Sequence, residues 1–140
     1  MEFLSKTAQD TKELAESIAK VLEPGAVLAL YGELGAGKTA ITRFIVEALG
    51  VVARVQSPTF VILRNYRGTD FTVFHADLYR LTSFREAIGI GLEDLFSTPK
   101  AITIIEWPEL VESILPERTI RIKFEYIDDT IRKIYVHNLY

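Results

Sequence analysis

The chain has 140 residues, 49% hydrophobic and 25% charged, which predicts one globular domain over residues 1–140 with a substantial core. A formal net charge of −3 and an isoelectric point near 5.4 argue against a protein that grips nucleic acid through its own phosphate contacts, so any RNA should be held through a partner. Zero cysteines exclude disulfides, thiolate zinc sites and a cysteine nucleophile, and with no signal-peptide-like opening and no apolar run of roughly 18 residues a cytoplasmic, membrane-free location is expected.

In chain order, Thr7-x-x-Asp10 is a helix-capping pattern, after which Leu14, Ala15, Ile18, Ala19 and Leu22 fall on one face and Pro24-Gly25 stops the helix. Ala26 to Tyr31 is a short continuous apolar run, the pattern of a parallel strand covered on both faces. Then comes Gly32-Glu33-Leu34-Gly35-Ala36-Gly37-Lys38-Thr39, which has the G-x-x-x-x-G-K-[ST] spacing of a phosphate-binding P-loop. Its glycines allow backbone N–H groups to converge on phosphate oxygens, Lys38 adds a cation for the β- and γ-phosphates, and the Thr39 hydroxyl is placed to ligate Mg²⁺. The motif belongs between a buried strand and a helix, and Ile41, Phe44, Ile45 and Ala48 at helical spacing before Gly50 supply that helix.

Val51 to Gln56 has no clear pattern. Ser57-Pro58 opens a different element: Phe60 to Tyr66, a turn at Arg67-Gly68-Thr69-Asp70, and Phe71 to His75 predict an antiparallel hairpin. Ser83 to Ile88 and Leu92 to Phe96 predict two short helices around the Gly89-Ile90-Gly91 break. Ala101 to Ile105 is a second buried strand ending in Glu106-Trp107-Pro108, and Pro108 starts a helix burying Leu110, Val111 and Ile114 before Pro116. Finally, Ile120, Ile122, Phe124 and Tyr126 alternate with Arg121, Lys123 and Glu125, and Asp128-Asp129 leads to a run through Ile134 and Val136: a C-terminal hairpin. The sum is an α/β fold, a P-loop NTPase domain with a mixed, partly parallel sheet and antiparallel edge hairpins.

A nucleotide bound through Mg²⁺ requires a carboxylate near the metal, commonly at the end of a strand beside the P-loop strand. Glu106 follows a buried-strand run of four apolar residues and Thr103 and should emerge at the carboxyl edge of the sheet, as a metal ligand or as an exposed strand-end glutamate. Asp77 is the second candidate, either binding the metal or orienting the attacking water, or else capping a helix or pairing with Arg80. His75 is set aside as a packed strand residue, because positioning and charge carry most of phosphoryl transfer.

Four stretches, Gly32 to Thr39, Ser57-Pro58-Thr59-Phe60, His75-Ala76-Asp77-Leu78-Tyr79-Arg80-Leu81 and Ile105-Glu106-Trp107-Pro108-Glu109, resemble the TsaE (YjeE) ATPases of bacterial tRNA threonylcarbamoyladenosine synthesis, from about Thr11 to the final hairpin. The resemblance implies ATP as substrate with Mg²⁺ as cofactor, held by Thr39 and Glu106 with Asp77 near the γ-phosphate, so that Lys38, Asp77 and Glu106 form the catalytic set. It extends the nucleotide-binding set beyond the P-loop to Thr11, Ala40 and Arg132, makes Ser57, Pro58, Thr59 and Phe60 a switch or partner loop, and sets Trp107 beside the site. It also implies TsaD and TsaB as partners, with tRNA reached only through that complex. Glu33 and Ala76 stand where aspartate and phenylalanine are commoner in the family.

Two other functions share these features. A small-molecule kinase would use the same P-loop and close basic residues such as Arg80 and Arg85 over a second substrate. A nucleotide-controlled adaptor would need ATP only to bias docking.

Overall fold

A computed structural model describes residues 1–33, 35–52 and 62–139. Leu34 of the P-loop, the expected switch residues Ser57, Pro58, Thr59 and Phe60, and residues 53–56 lie outside the described residues. In chain order the elements are β1 (Glu2–Ser5), α1 (Ala8–Val21), β2 (Val27–Tyr31), α2 (Lys38–Ala48), β3 (Leu63–Arg67), β4 (Thr72–Asp77), α3 (Phe84–Ile88), α4 (Leu92–Phe96), β5 (Ala101–Glu106), a 3₁₀ segment (Pro108–Ile114), β6 (Ile120–Tyr126) and β7 (Arg132–His137).

The strands form one mixed sheet in the order β1-β7-β6-β2-β5-β4-β3. Its centre is parallel: β2 lies between β5 and β6, and β4 runs parallel to β5. Its margins are antiparallel, β3 against β4 on one side and β7 against β6 and β1 on the other. The α/β class and the mixed sheet are therefore as the sequence predicts, with a difference in how the hairpins attach. Each contributes one strand to the parallel centre, β4 and β6, so neither is a mere addition at the edge. In β4, the five residues Val73 to Asp77 are all buried, which an edge hairpin would not require.

The capping pattern at Thr7 is realised in both directions, Thr7 Oγ1 accepting from the Asp10 N–H at 3.1 Å and Asp10 Oδ2 from the Lys6 N–H at 2.9 Å. Two elements differ from expectation. The edge strand β1 is four residues long with only Ser5 buried, too short and too exposed to carry a periodic signal. The segment after Pro108 is 3₁₀ and not α, with Val111 at φ −118° and ψ 15° interrupting the helical path while its side chain is fully buried.

Alternation along the central strands divides the core between the two faces of the sheet. Ile102 and Ile104 pack with Ile18, Ile41 and Ile45 of α1 and α2. Ile105 and Ala76 pack on the other face with Ala87, Leu92 and Val111 from α3, α4 and the 3₁₀ segment. Leu28, Leu30 and Ile104 are completely buried, each side chain contributing roughly 1.5–3 kcal/mol of burial free energy. The same period of two puts Glu106, two residues beyond Ile104, on the face covered by α2. His75 and Asp77, flanking Ala76, share that face.

Candidate functional site

The P-loop joins β2 to α2 at the carboxyl end of the parallel strands. Gly32 has φ +150°, and a Cβ added there would lie 3.1 Å from the Phe124 Cβ and 3.3 Å from the Ala36 Cβ, so close packing demands glycine. Gly37, at φ +110°, is the residue preceding α2, and its conformation turns the loop into the helix. Glu33 and Gly35 are exposed, Ala36 is buried, and Ala40 is half-buried in the first turn of α2.

Lys38 is the first residue of α2 and is only 4% exposed. Its Nζ donates to the Gly32 carbonyl and sits 3.6 Å from the centre of the Trp107 ring. Burial lowers the pKa of this ammonium, opposed by the carboxylates of Glu106, Asp77 and Glu109, which favour its charge. The Glu109 carboxyl is pushed up by burial, with Lys38 pulling the other way. A buried cation beside carboxylates at a glycine-rich loop can exchange its internal partner for phosphate oxygens.

The two candidate carboxylates face each other across adjacent strands, since Asp77 and Glu106 are partners in the β4–β5 register and close their strands at 5% and 3% exposure. The expected alternative of an exposed strand-end glutamate therefore does not hold for Glu106. Thr39 Oγ1 donates to Glu106 Oε2 at 3.5 Å. Asp77 Oδ1 accepts from the Tyr79 N–H at 2.9 Å, so it also ties down the turn after β4. A hydroxyl and carboxylates at the end of a P-loop form an oxygen-only donor set, which fits Mg²⁺, an ion that takes one or two protein oxygens and fills its octahedron with water and phosphate.

His75 is the residue that sequence reasoning set aside and the fold brings in. It is packed, at 0% exposure, but its Nε2 lies 2.6 Å from Glu106 Oε2. Its spacing of two from Asp77 on a strand was the available signal, because it places both side chains on one face.

Trp107 leaves β5 in a left-handed conformation, φ 59° and ψ 57°, which swings its ring over Lys38 and against Tyr79, with ring centres 5.0 Å apart. Such a conformation costs on the order of 1–3 kcal/mol in a non-glycine residue and persists where the surroundings enforce it. Arg132, the first residue of β7, donates through Nη2 to the Gly35 carbonyl at 3.2 Å and lies 4.6 Å from the Tyr126 ring centre, so the C-terminal hairpin braces the P-loop. Between them runs an open cleft of about 480 Å³ lined by Gly32, Ala36, Trp107, Glu109, Phe124 and Tyr126. Thr11 stands apart in α1, where its hydroxyl is 2.6 Å from that of Ser5.

Because Trp107 is the chain's only tryptophan and its ring touches the P-loop lysine, its emission is expected to shift when Mg-ATP is added. A fluorescence titration checks this, and a flat response at concentrations where calorimetry shows saturation would separate Trp107 from the nucleotide.

A central parallel strand that delivers a glycine loop and a buried lysine to the start of a helix, beside a strand ending in a carboxylate, defines the P-loop NTPase fold. The crystal structure of Bacillus subtilis YdiB superimposes with a TM-score of 0.79 at 30% sequence identity, covering 96% of this chain and 82% of that one. The family model described as "Threonylcarbamoyl adenosine biosynthesis protein TsaE" matches residues 5–134. Proteins named tRNA threonylcarbamoyladenosine biosynthesis protein TsaE are similar over nearly the whole chain: that of Rickettsia bellii is 37% identical over 94% of this chain and 91% of its own, and that of Treponema pallidum 37% identical over 97% and 99%. The chain belongs to the TsaE family.

Proposed function

We propose that this chain is an ATP-hydrolysing subunit of tRNA threonylcarbamoyladenosine synthesis, a single cytoplasmic domain that acts with TsaB and TsaD and meets tRNA only within their complex. The observation that carries the reading is the convergence of Lys38, Thr39, Asp77 and Glu106 at the P-loop end of three adjacent parallel strands. Among the described residues no helix is long and apolar enough to cross a membrane, and the net charge of −3 supplies no general basis for gripping RNA.

In this reading the backbone of Gly32 to Thr39, together with Ala40, cradles the phosphates, and Lys38 moves from the Gly32 carbonyl to the β- and γ-phosphate oxygens. Thr39 and Glu106 would hold Mg²⁺, with Asp77 either joining them or orienting the attacking water. The chemistry that Mg²⁺ would supply there is neutralisation of phosphate charge, which lowers the barrier to transfer. Arg132 keeps the loop in shape through the Gly35 carbonyl and flanks the nucleotide, while Thr11 is a nucleotide contact on family resemblance. Ser57, Pro58, Thr59 and Phe60, together with Trp107, are the switch or partner residues on family resemblance.

Fast hydrolysis on a P-loop usually needs an additional stabilising group or an ordered loop, which a partner can supply. Steady-state hydrolysis by the isolated chain is therefore expected to be slow and to rise when the TsaB–TsaD pair is added, with Asp77→Ala erasing the rise. The measurement is phosphate release with and without the pair, run beside reconstituted tRNA modification. Equal turnover in both conditions, or tRNA binding by the isolated chain at physiological salt, would count against the proposed role.

A further inference from the structure

We propose that His75 is a positioning residue for Glu106: its Nε2–H holds Oε2 of the carboxylate and so fixes the direction in which Glu106 presents itself to the metal and to Thr39. The proposal rests on the reading of Glu106 as a Mg²⁺ ligand. It is carried by three observations. The Nε2–Oε2 distance is 2.6 Å, with 0% and 4% side-chain exposure, so water does not compete for this bond. The Thr39 hydroxyl reaches the same oxygen at 3.5 Å, which makes Oε2 the meeting point of the P-loop helix and the β4 strand. The pairing is diagonal, since His75 is in register with Ile104 while Glu106 is in register with Asp77, and both strands are fixed on both sides by parallel or antiparallel neighbours.

A glutamate at a strand end has three side-chain torsions to settle, and a ligand that must be found in one rotamer binds metal less well than one already held there. The imidazole removes that freedom. It is itself held: His75 is fully buried and its ring lies against Tyr66, with centres 6.4 Å apart. Donation from Nε2 to a carboxylate leaves Nδ1 as the ring's other nitrogen, and Nδ1 has no hydrogen-bond partner among the described residues. The ring is thus committed to a single polar contact, with Glu106. Its hydrogen bond among the described residues goes to Glu106, so it acts through the carboxylate.

The test compares wild type, Glu106→Ala, His75→Leu and His75→Gln in calorimetric titrations with a non-hydrolysable ATP analogue, with and without Mg²⁺. In His75→Leu the gain in affinity that Mg²⁺ confers is expected to fall by about tenfold, while metal-free affinity is unchanged. His75→Gln, whose amide N–H reaches the place of Nε2, is expected to recover most of the gain. If Glu106→Ala loses the Mg²⁺ gain and a folded His75→Leu keeps it, the positioning role is overturned and the Glu106 reading survives. If Glu106→Ala itself keeps the gain, the Glu106 reading fails and the proposal falls with it.

A second measurement needs no substitution at His75. The chain has two histidines, and the other, His137, is exposed, so the imidazole ¹⁵N–¹H spectrum assigns readily. A slowly exchanging proton on Nε2 that moves in Glu106→Gln is the expected result. An Nε2 without a bound proton, or a proton signal indifferent to Glu106→Gln, would overturn the proposal even if His75→Leu did not fold.

Discussion

Lys38→Ala is expected to reduce nucleotide affinity by on the order of a hundredfold, the upper end of the roughly 1.5–3 kcal/mol that a hydrogen bond to a charged group contributes. The ammonium lies inside the structure with burial working against its charge, so its site is already dehydrated when phosphate arrives, and screening by water is low. Removing it gives up a bond to the Gly32 carbonyl, a contact with the Trp107 ring and the charge facing Glu106, Asp77 and Glu109, so the fold is checked beside the binding. The backbone N–H groups of the loop and the start of α2 remain and account for whatever weak binding survives. Calorimetry on a variant whose melting curve matches wild type is the check. Unchanged affinity there would remove the P-loop assignment altogether.

Glu106→Ala and Asp77→Ala are expected to act on the chemical step, lowering kcat by roughly 10²–10³ while leaving metal-free nucleotide affinity within a few-fold, as when a preorganised stabilising group is deleted. The loop and Lys38 hold the phosphates in both variants, so the site should bind and idle. Glu106→Ala carries an extra consequence, since it strips His75 of its hydrogen-bond acceptor inside the sheet, and it should be destabilised as well as slowed. Single-turnover hydrolysis beside equilibrium binding separates the two effects. A variant that keeps full turnover at saturating Mg²⁺ takes its residue out of the catalytic set.

Much of this was legible in the residues alone. The P-loop, its strand and its helix are local: eight consecutive residues with fixed glycine positions, an apolar run before them and helical spacing after them. The end of β5 is equally plain, because an isoleucine-rich run of five residues, interrupted only by Thr103 and followed by a charge, reads as a buried strand reaching the edge of the sheet. The C-terminal hairpin declares itself by alternation. In each case the determining interaction lies within a few residues of the pattern that reports it.

What the chain order does not contain is which strand lies beside which. That β4 runs parallel to β5, with Asp77 opposite Glu106, depends on a pairing between segments 29 residues apart, and no local preference encodes it. The same holds for Arg132, whose reach to the Gly35 carbonyl spans 97 residues, and for the edge strand β1, which exists because β7 offers it an antiparallel partner. His75 shows the difference most clearly. From the sequence it is a polar residue in a buried strand, where packing is the ordinary explanation. Only the register of two strands that are neighbours in the sheet but 29 residues apart along the chain puts Nε2 against Glu106, because hydrogen bonds of 2.6 Å are made by position in space, and position across a sheet is set by burial of the whole apolar face and not by any residue's neighbours along the chain.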